Sequence, residues 1–93
     1  MLDFTERKDR DLRRKYGITL DVWNAMYAAQ RGRCAICDRS DQRLVVDHDH
    51  HSGAVRGLLC VTCNSGLGML QDDPDLLDTA RDYILGIRYV SDD

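Results

Sequence analysis

The sequence predicts a small α+β domain closed around a metal ion, and three observations lead there. Two Cys-x-x-Cys pairs, Cys34-Ala-Ile-Cys37 and Cys60-Val-Thr-Cys63, are separated by enough chain for a loop and a hairpin. Between them, the apolar runs Leu44-Val45-Val46 and Ala54 to Leu59 flank a Ser52-Gly53 turn, as the two strands of a hairpin would. On either side, apolar residues recur at helical spacing.

From about Phe4 to Tyr16 the composition favours a helix, with acidic residues early and basic ones late, as the helix dipole prefers. Gly17 ends it. Thr19 is a good N-cap for a second helix reaching about Gln30, in which Leu20, Trp23 and Tyr27 share one face and Asp21 sits in the first turn. Aromatic residues at that spacing can stack on bases, but they belong to a core more often, and core is the expectation here. Gly32 stops this helix before the first cysteine pair.

Cys34 to Cys37 should form a tight knuckle, and Asp38-Arg39-Ser40-Asp41 a polar turn leading to the first strand. Arg56 and Gly57 interrupt the apolar second strand. Cys60 to Cys63 is the second knuckle, followed by a short helix from Asn64 whose two glycines suggest close backbone packing. Asp73 as N-cap and Pro74 at the first position open a last helix, with Leu76, Leu77, Ala80, Ile84 and Ile87 on one stripe. Such a stripe packs on its own domain or meets a second subunit. The 93 residues therefore read as one domain: N-terminal helices over 1–33, a metal-stapled core over 34–70 and a C-terminal helix over 71–93.

The net charge of −3 argues against a nucleic-acid partner until its distribution is considered. Residues 1–63 hold 11 Lys or Arg against 9 Asp or Glu, and residues 64–93 hold 2 against 7. Arg7, Lys8, Arg10, Arg13, Arg14 and Lys15 cluster near the start, and a local patch can steer a phosphate backbone despite a slightly negative total. The same cluster, interleaved with Glu6, Asp9 and Asp11, reads equally well as the solvated face of a helix. The opening residues lack a signal-peptide core, and no run is long enough to cross a membrane. The expected setting is the cytoplasm, where thiols stay reduced.

Cys34, Cys37, Cys60 and Cys63 can close a four-thiolate shell with no open position, a structural site. Zinc is the expected ion, ahead of iron in a rubredoxin-like site or of two disulfides. A domain of this length buries only a small core, so a staple of this kind matters to its folding.

Asp47-His48-Asp49-His50-His51 needs separate explanation, because the zinc shell is already complete. The plainer account is a polar turn with satisfied histidines, or an adventitious metal site. In a strand, His48 and His50 would share one face while Asp47 and Asp49 take the other. A carboxylate beside a histidine, with an amide brought from a following helix, suits metal-assisted phosphodiester hydrolysis. Carboxylate and amide oxygens hold a hard cation that keeps its waters, and a neutral imidazole accepts a proton from the attacking water.

The set CAIC, VVDHDH, SGAVRGLLCVTCN and SGLG, in that order over roughly residues 16–70, resembles the recombination endonuclease VII family of phage and bacterial genomes. That family lies among the HNH or His-Me finger nucleases. The resemblance implies a ββα-metal fold with a structural zinc. It makes Asp47 and Asn64 the ligands of a catalytic Mg2+ or Mn2+, His48 the general base, and His50 an assistant at the phosphate. It implies DNA as substrate, duplex or branched, and a homodimer as a candidate assembly. The family's dimer-forming part lies largely C-terminal to the catalytic region, and only residues 69–93 follow here. Cutting with little sequence reading is therefore the expectation. Arg56, after the hairpin turn, either holds a phosphate or makes a structural ion pair, with Asp49 as its candidate partner. His51 should simply face solvent. The family commonly carries threonine where Ser52 stands, so a hydroxyl is kept. The rival from another class is a noncatalytic zinc-ribbon module binding DNA or protein, which needs the cysteines but not Asp47, His48 or Asn64.

Overall fold

The computed structural model describes residues 1–87, in the order α1 (Phe4–Tyr16), α2 (Leu20–Ala29), β1 (Leu44–His48), β2 (Val55–Cys60), α3 (Val61–Met69) and α4 (Pro74–Ile84). The remainder of the 71–93 segment lies outside the described residues. In α1, Asp3 caps the N-terminus by accepting from the Glu6 N–H at 2.8 Å, and Gly17 closes the helix at φ 72°. Asp9 joins the first two helices: Oδ2 takes the Arg13 guanidinium at 2.7 Å, and Oδ1 accepts the Leu20 N–H at 2.7 Å in the first turn of α2. The Leu20 amide, followed by Arg13, holds the Asp9 carboxyl below its usual range. Thr19 caps α2 as expected, accepting from the Val22 N–H.

The strands form a two-stranded antiparallel sheet in which Leu44 pairs with Cys60, Val46 with Leu58 and Asp47 with Gly57. The register slips after Asp47, since His48 faces Val55 and Arg56 is left over on β2. This bulge accounts for the polar interruption at Arg56, because a bulged residue is re-aimed away from the regular alternation. β2 is shifted by one residue from the expected span, so that Cys60 ends the strand and also caps α3. Helix α3 accordingly begins at Val61, earlier than the Asn64 start expected from sequence, and Cys63 lies in its first turn.

The buried apolar residues are Leu12, Cys34, Leu44, Val46, Leu58, Leu59 and Cys60, with Tyr16, Ile18, Leu20, Trp23, Met26 and Leu67 among those packed against them. Trp23 thus belongs to the core, as expected. Tyr27, stacked on it at 5.2 Å, is half open to solvent. Gly32 turns the chain leaving α2 at φ 67°, in the left-handed region that favours glycine, and a Cβ there would also meet the Tyr27 hydroxyl at 2.9 Å. Helix α3 packs on both strands, α2 on β2, and α1 on α2. Helix α4 makes little contact with the other elements, and Ile84 and Ile87 at its far end are exposed. Its stripe therefore does not pack along its length on this domain.

A two-stranded sheet is marginal by itself, and Gln30 extends it. Its side-chain Nε2 donates to the carbonyls of Leu58 (2.9 Å) and Arg33 (2.7 Å), and its Oε1 accepts the Leu58 N–H at 3.0 Å. The amide thus occupies the outer edge of β2 as a neighbouring strand would. Gln30→Ala should cost about 1–2 kcal/mol, because it strands the Leu58 N–H and leaves the Leu58 carbonyl with the Ala35 N–H alone. Gln30→Glu should be at least as costly, since a carboxylate has no N–H for either carbonyl. Urea unfolding of the zinc-loaded variants measures both.

Candidate metal centre and active site

The cysteine cluster is assembled from three places. Cys34 and Cys37 lie in the loop after α2, where the Cys34 carbonyl accepts the Asp38 N–H at 3.0 Å and Asp38 turns the chain at φ 64°. Ala35 donates to the Leu58 carbonyl at 3.2 Å, fastening this loop to β2. Cys60 ends β2, and its sulphur accepts the Cys63 N–H at 3.4 Å as the cap of α3. All four thiols are free, and their sulphurs lie within 4.8 Å of one another. A zinc ion with bonds of about 2.3 Å in tetrahedral geometry requires sulphurs about 3.8 Å apart. Cys37 Sγ and Cys60 Sγ are separated by 3.8 Å, so the donor set fits zinc.

The thiols are unequal. Burial pushes Cys34 up, but the N–H groups of Cys37, Cys60 and Ile36 directed at its sulphur outweigh it and bring the group down to about 6. At Cys63, burial, reinforced by the neighbouring thiols, pushes the group up to about 12. Four thiolates thus crowd together only when a cation neutralises them, and protons compete for the site.

Beside this cluster, Asp47 and His48 close β1, with the Asp47 side chain 10% exposed. The imidazoles of His48 and His50 lie edge to face, 5.4 Å apart, and the Tyr16 ring flanks His48 at 6.0 Å. The two rings are brought together as expected, but β1 ends at His48, so the turn and not strand alternation places His50. Asp49 is engaged by the turn, where its Oδ1 accepts the N–H groups of His51 (2.7 Å) and Ser52 (3.1 Å), and these hold its carboxyl below the usual range. It shapes the return of the chain to β2. His51 and Ser52 are exposed, and the Ser52 hydroxyl accepts the Ala54 N–H at 3.2 Å. Asn64 lies on α3, the helix packed on both strands, and is half-buried.

Arg56 makes its ion pair with partners other than Asp49. Nε and Nη2 donate to the two oxygens of Asp47 at 2.8 and 3.1 Å, and Nη1 and Nη2 donate to those of Asp72 at 3.0 and 2.8 Å. Asp72, in the loop between α3 and α4, is not foreseeable from sequence because no local motif links it to the hairpin. Its carboxyl is held below its usual range by Arg56.

A ββα arrangement beside a cluster of four cysteines is thus present, and the comparisons with known proteins agree with it. The model of the recombination endonuclease VII family matches residues 9–86. The chain belongs to this family. Two mycobacteriophage relatives of this endonuclease VII family member, the Gene 59 proteins of phages D29 and L5, are 49% and 47% identical over 74% and 75% of the chain. The chain spans 44% and 45% of their lengths, under half. Among solved structures, the ββα-Me type II restriction endonuclease Hpy99I shares the fold with a TM-score of 0.54 at 24% identity, covering 85% of this chain and 48% of that one. Among the described residues, no helix is long and apolar enough to cross a membrane.

Removing the metal from this family member should abolish cooperative unfolding and most tertiary structure, because zinc binding is worth on the order of 10 kcal/mol to a site of this kind. Far- and near-UV circular dichroism before and after chelation and zinc readdition measures this. Since at least one thiol proton must leave on binding, apparent zinc affinity should fall by at least about tenfold per pH unit below pH 8. Competition with a chromogenic chelator checks that slope.

Proposed function

We propose that the chain is a metal-dependent DNA endonuclease of the HNH type, cutting phosphodiester bonds in duplex or branched DNA. The observation that carries this is the His48–His50 pair, 5.4 Å apart, standing beside a nearly buried Asp47 on a hairpin tied to the zinc cluster. A polar turn alone would leave Asp47 in water, whereas here it is nearly buried. Among the described residues the Asn64 side-chain amide is engaged in no hydrogen bond, and each Asp47 oxygen accepts a single N–H, so both retain lone pairs for a cation. This oxygen donor set fits Mg2+ or Mn2+. When bound, such an ion neutralises charge on the scissile phosphate.

In this reading Asp47 and Asn64 hold the ion. His48 takes the proton of the attacking water at an imidazole nitrogen, its ring kept in orientation by Tyr16 and His50. His50, on the exposed side, donates to the phosphate. A groove of about 620 Å³ between α1, α2 and β1 supports a DNA substrate, for Arg7, Lys8, Lys15 and Arg43 line it, and so does Tyr16. Lys8 lies 3.9 Å above the Trp23 ring at its wall. Arg13 and Arg14, by contrast, are paired within α1 to Asp9 and Asp11, so part of the basic cluster is a solvated helix face. A homodimer, where formed, would use the apolar end of α4 at Ile84, Leu85 and Ile87. The cytoplasm of a bacterial or phage-infected cell is the corresponding setting.

With Mg2+ or Mn2+, the zinc-loaded protein should nick supercoiled plasmid, and His48→Ala should reduce the rate by about 10²-fold or more with zinc content unchanged. Gel assays on plasmid and on a synthetic four-way junction measure the rate and the preference. Equal cutting by both proteins would refute His48 as the base. No cutting by either would favour the noncatalytic zinc module.

A further inference from the structure

Arg56 is the residue left over by the bulge in β2, and its guanidinium is shared between two carboxylates from distant parts of the chain. A guanidinium has five N–H donors, and four are used here, in two bidentate pairs. Little remains for a DNA phosphate. The partner at the far side is brought there by backbone that side chains rarely adopt. Helix α3 ends with the Gln71 N–H on the Gly68 carbonyl at 3.0 Å and the Asp72 N–H on the Leu67 carbonyl at 2.7 Å. Gln71 occupies the left-handed position usually given to glycine, at φ 62°, and Asp72 follows at φ 52°. Two successive non-glycine residues in that region are strained, and the strain is offset where Asp72 meets Arg56.

We propose that Asp72 and Arg56 are positioning residues for Asp47, a carboxylate–guanidinium–carboxylate clamp that orients the metal-binding aspartate and sets the charge beside it. This rests on the reading that Asp47 holds the divalent ion. Arg56 fixes both Asp47 oxygens from one side and leaves their remaining lone pairs directed elsewhere. Its positive charge by itself would repel a divalent cation, and Asp72 cancels that charge. The three groups together carry one negative charge, and without Asp72 they carry none. Arg56 thus acts through Asp47 and does not hold the phosphate.

The test uses the full zinc-loaded chain in a His48→Ala background, so that DNA is not consumed, with Mn2+ titrated onto the protein–duplex complex and free Mn2+ read by electron paramagnetic resonance. Asp72→Asn suits the purpose because asparagine tolerates the left-handed backbone that Asp72 adopts. The expected result is a loss of Mn2+ affinity on the order of tenfold, with zinc content and thermal midpoint little changed. Duplex affinity without added divalent ion should stay within about twofold, since no phosphate contact is lost. Gln71→Gly, which relieves strain without changing charge, should leave Mn2+ affinity as it was. Asp47→Ala should abolish the Mn2+ site. If Asp47→Ala does so and Asp72→Asn binds Mn2+ normally, the clamp is refuted while the metal-site reading stands. If Asp47→Ala also binds normally, the premise itself fails. If Arg56→Gln weakens duplex binding without Mn2+ and leaves Mn2+ affinity intact, Arg56 is a phosphate ligand and the proposal is overturned.

Discussion

Four sulphurs within 4.8 Å of one another join the loop after α2, the end of β2 and the first turn of α3. Everything near the candidate site takes its position from that junction. Cys60 is at once the last residue of the strand, the cap of the helix and a member of the cluster, so the angle at which α3 leaves the sheet is tied to that cluster. The cluster also contributes Cys34 and Cys60 to the core itself. Among the described residues few aliphatic side chains are buried, too few for burial alone to offset the entropy of ordering the backbone, and a zinc ion held by the four cysteines would supply what is lacking.

The hairpin, held in this way, can carry polar groups that would otherwise cost stability. Asp47 is nearly buried, and an unpaired carboxylate there would be expensive. The bulge at Arg56 answers this by turning one guanidinium toward it, and the loop after α3 answers the guanidinium in turn with Asp72. Gln30 plays a comparable part on the outer side of β2, replacing a missing strand with one side-chain amide. In both cases side chains help to complete a small sheet.

Charge is divided between regions of the chain. The cations of α1 and of Arg43 line a groove that reaches Tyr16 and so adjoins His48, while the acidic residues of α4 stand apart with that helix.

The sequence by itself determined the helices with strong local signals. Thr19 and Asp73 cap their helices through their own side chains, Gly17 ends α1, and each Cys-x-x-Cys pair announced a metal knuckle, because these are interactions between near neighbours. The alternation expected of His48 and His50 stopped short, because β1 ends at His48 and the turn carries His50 to its side. Only the tertiary structure decided that Arg56 joins Asp47 and Asp72 in place of Asp49, for that depends on a one-residue slip in strand pairing and on a helix end many residues away. It also decided that Gln30 serves the sheet, that α3 starts at the cysteine, and that α4 leaves its apolar end open. Those outcomes are set by which surfaces meet, and periodicity along a single chain carries no record of that.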